Sequence, residues 1–179
     1  MLRTIIACLA LLALLGCGVT QSKSRPQDSG PSPEGYYTLK SKGFELLYKV
    51  DGEHLLCILS GATTGWIALG IAPSSMMKDA NFIIGYIKDG QGFIRDDYGT
   101  EHTDHASDLS LRGTSDLTLH AYEEKDGRTG LVFSLPLDSG DMFDQALKPG
   151  NSYKVIFGAG PQDDFDSYHR SHASGTIKL

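Results

Sequence analysis

Three times in this chain an Asp-Gly pair separates one apolar run from the next: Asp51-Gly52, Asp89-Gly90 and Asp126-Gly127. Asp-Gly tolerates the left-handed backbone of a tight two-residue turn whose twist matches that of paired strands, so each pair predicts a hairpin. Around them lie short runs rich in β-branched and aromatic residues. Phe44–Val50 (FELLYKV) leads into His54–Ser60 (HLLCILS), and Trp66–Ile71 (WIALGI) stops at Pro73. Phe82–Ile87 (FIIGYI) is followed by Gly92–Arg95, and Leu117–Tyr122 (LTLHAY) alternates before returning as Thr129–Leu135 (TGLVFSL). Tyr153–Phe157 and Thr176–Leu179 complete the set. The 21 Gly and 7 Pro spread along the chain keep every run short. No stretch of a dozen residues carries a capped helical period, although Asp138–Leu147 could form one or two helical turns. The expected fold is all-β, two packed antiparallel sheets of about nine to eleven strands in total.

The N-terminus reads differently. Residues 1–16 place one cation, Arg3, before an apolar run that ends Leu14-Leu15-Gly16-Cys17. That run is too short to span a bilayer and has the form of a signal peptide. A small residue before Cys at its end resembles the bacterial lipobox, in which the cysteine, here Cys17, is lipidated and becomes the mature N-terminus. The stretch from Gly18 to Gly35 is rich in Ser, Pro, Gly and Gln, as in a solvated linker, so the organisation expected is signal 1–16, lipidated Cys17 with linker 17–35, and domain 36–179. The expected location is the cell envelope, lipid-anchored on its extracytoplasmic side. Cys8 leaves with the signal and Cys17 carries lipid, so Cys57, inside Leu55–Leu59, remains as a buried free thiol and no disulfide forms.

Sixteen basic residues stand against 22 acidic ones, a net charge of −6. Without Arg3 the balance is 15 against 22, or −7, which anionic lipid repels, so membrane attachment must come from acyl chains. No basic cluster offers a nucleic-acid footprint. A phosphate loop with Lys, a Gly-x-Ser-x-Gly elbow, a His-Glu-x-x-His pair and Cys-x-x-Cys-His are all absent from the sequence. No acid–base pair or activated nucleophile stands out, so catalysis by the chain itself is not expected.

Three segments carry residues of chemical interest. Ala72–Asn81 holds Met76 and Met77 side by side in a polar loop, where a thioether gains little from water. One of them either plugs the end of the core or ligates a soft metal or haem iron. Asp163–His172 holds His169 and His172 in an acidic loop, either as solvated surface or as ligands. Glu101–His105, with His102 and His105, lacks further ligands at rigid spacing and is read as a plain polar loop.

Several segments together resemble the DOMON domain, the family named after the N-terminal module of dopamine β-monooxygenase. They are Gly65-Trp66-Ile67-Ala68-Leu69-Gly70-Ile71-Ala72-Pro73, Met77-Lys78-Asp79-Ala80-Asn81, Ile83-Ile84-Gly85, Asp97-Tyr98 and Gly113-Thr114-Ser115-Asp116-Leu117, in that order. Phe133–Asp141 is similar to the family's Phe-Ser-Arg-Pro-Leu-x-Thr-x-Asp corner, and Tyr168-His169 with Gly175-Thr176 to its C-terminal end. Asn81 stands where many members have Asp, and Leu135 where many have Arg. The resemblance runs from about Tyr36 to Leu179. It implies an immunoglobulin-like sandwich with a pocket at one end. Relatives, including the cytochrome domain of cellobiose dehydrogenase, often bind a b-type haem (haem b) there between a Met and a His. Carried over by position, those ligands are Met77 and His169, with Met76 and His172 as second choices.

Met/His ligation leaves no open coordination site and raises the potential, which favours electron transfer or redox sensing with a redox partner protein. Other members are thought to bind sugars or no cofactor. The alternative is therefore a haem-free module binding a sugar or other small ligand, with Trp66, Tyr98 and Tyr168 as stacking surface.

Overall fold

A computed structural model describes residues 31, 32 and 34–179. The signal segment, Cys8, Cys17 and nearly all of the linker lie outside the described residues. Eleven strands follow one another: β1 Tyr37–Ser41, β2 Phe44–Asp51, β3 His54–Gly61, β4 Ile67–Ile71, β5 Asn81–Lys88, β6 Gln91–Glu101, β7 Asp104–Ser107, β8 Thr118–Lys125, β9 Arg128–Pro136, β10 Ser152–Ala159 and β11 Ser171–Lys178. They form two sheets, β1-β2-β3-β9-β8 and β11-β10-β4-β5-β6-β7, with every pairing antiparallel. The all-β sandwich expected from the sequence is the observed architecture.

The Asp-Gly pairs make the hairpins, in two ways. Asp89-Gly90 and Asp126-Gly127 are the two central turn residues, all four at positive φ, between Lys88↔Gln91 and Lys125↔Arg128. At the first hairpin Asp51 is already paired, with His54, so Gly52 and Glu53 make the turn and only Gly52 is left-handed. The strand not anticipated at the N-terminal edge, β1, is joined to β2 by Lys42-Gly43, both at positive φ. A lysine in that conformation is a weak turn signal, and Tyr37–Ser41 is too polar to announce a strand.

Alternation places one face of each sheet in the core. Leu46 and Tyr48 of β2, Leu55, Cys57 and Leu59 of β3, and Leu131, Phe133 and Leu135 of β9 face Ile67, Leu69, Ile71, Ile83, Val155, Phe157 and Ile177 of the other sheet, all buried in one cluster. Cys57 is a free thiol within that cluster, and burial pushes its pKa up. A thiol reagent should therefore leave the native domain unlabelled and react only after denaturation. Rapid labelling of folded protein would contradict this placement.

Two local expectations are corrected. Asp138–Leu147 forms no helical turns. It is an irregular segment with one tight turn, Asp144 N–H to Asp141 O (3.3 Å), tied down at its two ends where Leu137 N–H donates to Glu53 O (2.8 Å) and Leu147 N–H to Leu137 O (2.6 Å). Glu101–His105 is not a plain polar loop: it is the β6–β7 hairpin, with Glu101 paired to Asp104, and a 3-10 turn at Asp108–Leu111 follows β7. Among the described residues no helix is long and apolar enough to cross a membrane.

Candidate functional site

In β4 every residue is buried, and β5 is buried from Asn81 to Gly85, so the alternation expected of a half-solvated sheet is missing there. Its cause is a second apolar cluster on the outer face, made of Trp66, Ala68, Ala80, Phe82 and Ile84, with Met77, Tyr86, Ile156 and Phe165 packed on it. Register defines its floor. One row across the sheet reads His172, Gly158, Ala68, Ile84, Arg95, and the next reads Ser174, Ile156, Gly70, Phe82, Asp97, Ser107. In the middle of this face Gly158, Ala68 and Gly70 alternate with Ile84, Ile156 and Phe82, and the larger side chains lean over the glycines. A Cβ at Gly70 would lie 2.7 Å from Phe82, and one at Gly158 3.1 Å from the Trp66 ring.

Two connections border this face. The segment between β4 and β5 is a strained turn, with Ala72, Met76 and Asp79 all at positive φ. Non-glycine residues persist there only where surroundings over-determine them. Ser74 and the Tyr98 hydroxyl (2.9 Å) both donate to the Asp79 carboxylate, which lowers its pKa. Asp79 N–H donates to Gly99 O (2.8 Å), Gly99 N–H to Ala80 O (2.9 Å), and Met77 N–H to His102 O (3.2 Å). Held in this way, Met77 lies half-buried on the outer cluster, whereas Met76 points outward, 57% exposed.

The second connection, 160–170, folds back over the face from β10. The Trp66 backbone N–H donates to Gln162 O (2.9 Å) and Gly160 N–H to Trp66 O (3.0 Å), while a Cβ at Gly160 would meet the indole at 2.3 Å. Phe165 packs on Tyr86 with ring centroids 4.8 Å apart, and the Arg95 guanidinium lies over Phe165 at 4.5 Å. His169, exposed, stands beside Gly158, and its ring meets that of His172 at 5.1 Å. Trp66 Nε1 is buried without a hydrogen-bond partner.

The resemblance implied a pocket at one end of the sandwich, and the strand directions give a different arrangement. The Met77 turn leaves β4 at Ile71, but β10 runs against β4 with Ala159 opposite Ile67, so the His169 segment starts from the other end. The two candidate ligands therefore border one sheet face from opposite ends of a strand about 13 Å long. His172 is not a loop residue but lies in β11 opposite Gly158. Trp66, Tyr98 and Tyr168 form no common stacking platform: Trp66 is buried, the Tyr98 ring packs on Phe143 at 5.4 Å, and Tyr168 is 91% exposed.

A charge network that sequence reasoning missed lies at the β6–β7 edge. Arg95 Nε and Nη2 donate to the Asp97 carboxylate at 2.6 and 2.7 Å, and His105 Nδ1 is 2.5 Å from its Oδ2. The His105 ring lies 5.7 Å from that of Phe82. The alternation of Arg95 and Asp97 was the only hint of it in sequence. Burial raises the Asp97 pKa, but the hydrogen bonds from His105 and Arg95 outweigh it and leave it below the ordinary value. A depressed carboxyl stabilises the fold above its unfolded pKa and loses that contribution as pH falls through the folded value. Wild-type stability should thus drop in denaturant titrations as pH falls below about 4. Asp97→Asn should cost about 3 kcal/mol at neutral pH and flatten that acid limb; an unchanged limb would contradict the role of this network.

The fold has relatives among solved structures. The cytochrome b domain of pyranose dehydrogenase from Coprinopsis cinerea is similar with a TM-score of 0.59 and 13% identity, over 86% of this chain and 87% of that one. The cytochrome domain of Myriococcum thermophilum cellobiose dehydrogenase is similar with a TM-score of 0.57 and 10% identity, over 86% and 88%. At these identities the likeness is one of fold. The profile of the DOMON domain matches residues 40–160, from the end of β1 past the end of β10; it includes the Met77 turn and stops short of His169. Matching most of the sandwich by sequence as well as by fold, the chain belongs to the DOMON domain family.

Proposed function

We propose that this protein is an extracytoplasmic, lipid-anchored DOMON protein that holds a b-type haem between Met77 and His169 and passes electrons to a partner protein. The observation that carries the reading is the outer face: an apolar surface on which Phe82 and Trp66 pack down over Gly70 and Gly158, bordered from one end by a thioether and from the other by an imidazole. The donor set suits iron, and the apolar lining suits a porphyrin. The unpartnered Trp66 indole N–H offers a hydrogen bond to an acceptor on the ligand's rim. Phe165 covers the lining, so entry requires the 160–170 segment to swing outward from Tyr86. Haem bound with both axial positions taken supplies one-electron transfer without an open site for oxygen. The protein's own contribution is to hold Met77 on a strained, hydrogen-bonded turn and to exclude water with Trp66, Phe82 and Phe165. Cytochrome domains among the structural neighbours support the same reading.

Anchoring rests on Leu14-Leu15-Gly16-Cys17 and the linker after it. Cys17→Ser should release the protein from membranes or block its maturation, and a variant processed and membrane-bound like wild type overturns the anchor. For haem, purified protein loaded with haem should give a sharp low-spin spectrum on reduction. Wild-type protein that retains no haem under any loading condition overturns the haem reading and favours the sugar or small-ligand module.

A further inference from the structure

Opposite the outer face, the inner end of the sandwich collects acidic side chains from elements far apart in sequence. Asp96 lies on β6, Asp116 just before β8 and Asp144 in the segment after β9, and an oxygen from each lies within 4.8 Å of the others. One calcium ion binds oxygens at roughly 2.3–2.6 Å, so two of its ligands stand no more than about 5 Å apart. The three carboxylates meet that limit.

Proximity of carboxylates alone would prove little, but the surrounding buried groups lack partners. Asn81, 4% exposed, has no hydrogen bond to Oδ1. Asp96, 2% exposed, has none to Oδ1, and Asp108, wholly buried, has none to either oxygen. None of the ion pairs among the described residues reaches any of these carboxylates. Buried carboxyl and amide oxygens left without a cation or a donor cost free energy whether the acid is ionised or protonated, and native proteins rarely leave them so. Asp141 shows the contrast: its oxygens take the N–H groups of Thr114 and Phe143, so it clips two loops together.

The rest of the cluster is held in place. Asp116 N–H donates to Asp96 Oδ2 at 3.0 Å, Thr114 Oγ1 to Asp116 Oδ2 at 2.7 Å, and Ser139 Oγ to Asp144 Oδ2 at 2.6 Å. Asn81 Nδ2 donates to the other oxygen of Asp144. Asp96 and Asp116 are thus oriented through one oxygen and Asp144 through both, while lone pairs remain for a ligand.

We propose that Asp96, Asp116 and Asp144, with the Asn81 amide oxygen and Asp108 beside them, form a divalent-cation site of calcium type. Ligands that are all oxygen select a hard cation over zinc or copper, and several buried protein oxygens suit calcium better than magnesium, which keeps its waters. Asn81 opens β5 directly after the Met77 turn, and Gln145 Nε2 donates to Asp79 O (3.4 Å), so a bound cation ties the closing segment to that turn. The site stands independently of haem.

The test uses purified protein stripped with EDTA and titrated with calcium chloride by calorimetry and thermal unfolding, with magnesium and sodium at matched ionic strength. Calcium should bind one ion per chain and raise the unfolding temperature by several degrees, in proportion to the logarithm of its concentration above Kd. Asp96→Asn and Asp116→Asn, which keep side-chain shape, should weaken binding at least ~10-fold. Asp164→Asn, in the 160–170 segment on the outer face, should bind as wild type. Absence of stoichiometric calcium binding by wild type overturns the proposal without reference to any variant. So does equal binding by wild type and both cluster variants.

Discussion

Replacing His169 by alanine should strip haem from the protein while leaving the sandwich intact. The imidazole is exposed and meets the ring of His172 edge-on, so its removal changes the stability of the fold by no more than the ~0.5 kcal/mol of an ordinary surface substitution. As an axial ligand of a noncovalent cofactor its loss should weaken retention well over ~10-fold, or more than ~1.4 kcal/mol. His172→Ala is the control. His172 lies in β11 opposite Gly158, so the substitution keeps the strand and removes the second-choice ligand together with its ring contact to His169. Haem retention is read by gel filtration of loaded protein, and unfolding temperature by circular dichroism. Equal retention by His169→Ala and wild type would remove His169 from the site; loss in His172→Ala alone would move the ligand three residues along the chain.

Gly99→Ala is expected to be the most damaging small substitution in the domain. A Cβ there would fall 1.8 Å from Met77 O, 2.8 Å from its carbonyl carbon and 3.2 Å from Ala80 N. Backbone cannot yield as a flexible side chain does, and Gly99 is bonded to the same turn through both its N–H and its C=O. The turn must lift off β6, at the top of the roughly 1–3 kcal/mol range of an overpacked site or beyond it. Because that turn presents Met77, haem-loaded Gly99→Ala should also lose its Met ligand and show an altered spin state. Chemical denaturation measures the first effect and the absorption spectrum the second. A Gly99→Ala protein as stable as wild type would mean that the Met77 turn is not clamped as described.

Much of the sandwich was legible because its signals are local. Apolar runs such as Phe44–Val50 and His54–Ser60, divided by Asp51-Gly52, announce a hairpin to any reader of period-two alternation. What stayed hidden depends on neighbours. The edge strand β7 rests on pairing with β6 and on His105 meeting Asp97, and neither appears in a run as polar as Glu101–His105. Asp138–Leu147 left room for one or two helical turns, yet the bonds that fix its ends, Leu137 N–H to Glu53 O and Leu147 N–H to Leu137 O, are set by the strands it closes. Met77 was legible as an oddity, a thioether in a polar loop, but strand order decides that it and His169 meet one face from opposite ends. The acidic cluster was least legible of all. Asn81, Asp96, Asp108, Asp116 and Asp144 converge only once two sheets and two irregular closing segments are in place.

The most direct test of Met77 and His169 as partners on one iron is near-infrared magnetic circular dichroism of the oxidised, haem-loaded protein. A thioether bound to ferric haem gives a weak sulfur-to-iron charge-transfer band that imidazole or water in its place does not. Wild type should show that band, and Met77→Leu, which keeps the apolar volume and removes the sulfur, should lose it and fall in potential while remaining folded. Met76→Leu should keep both the band and the potential. A low-spin wild-type spectrum without the band, or a band that survives Met77→Leu, would contradict the assignment.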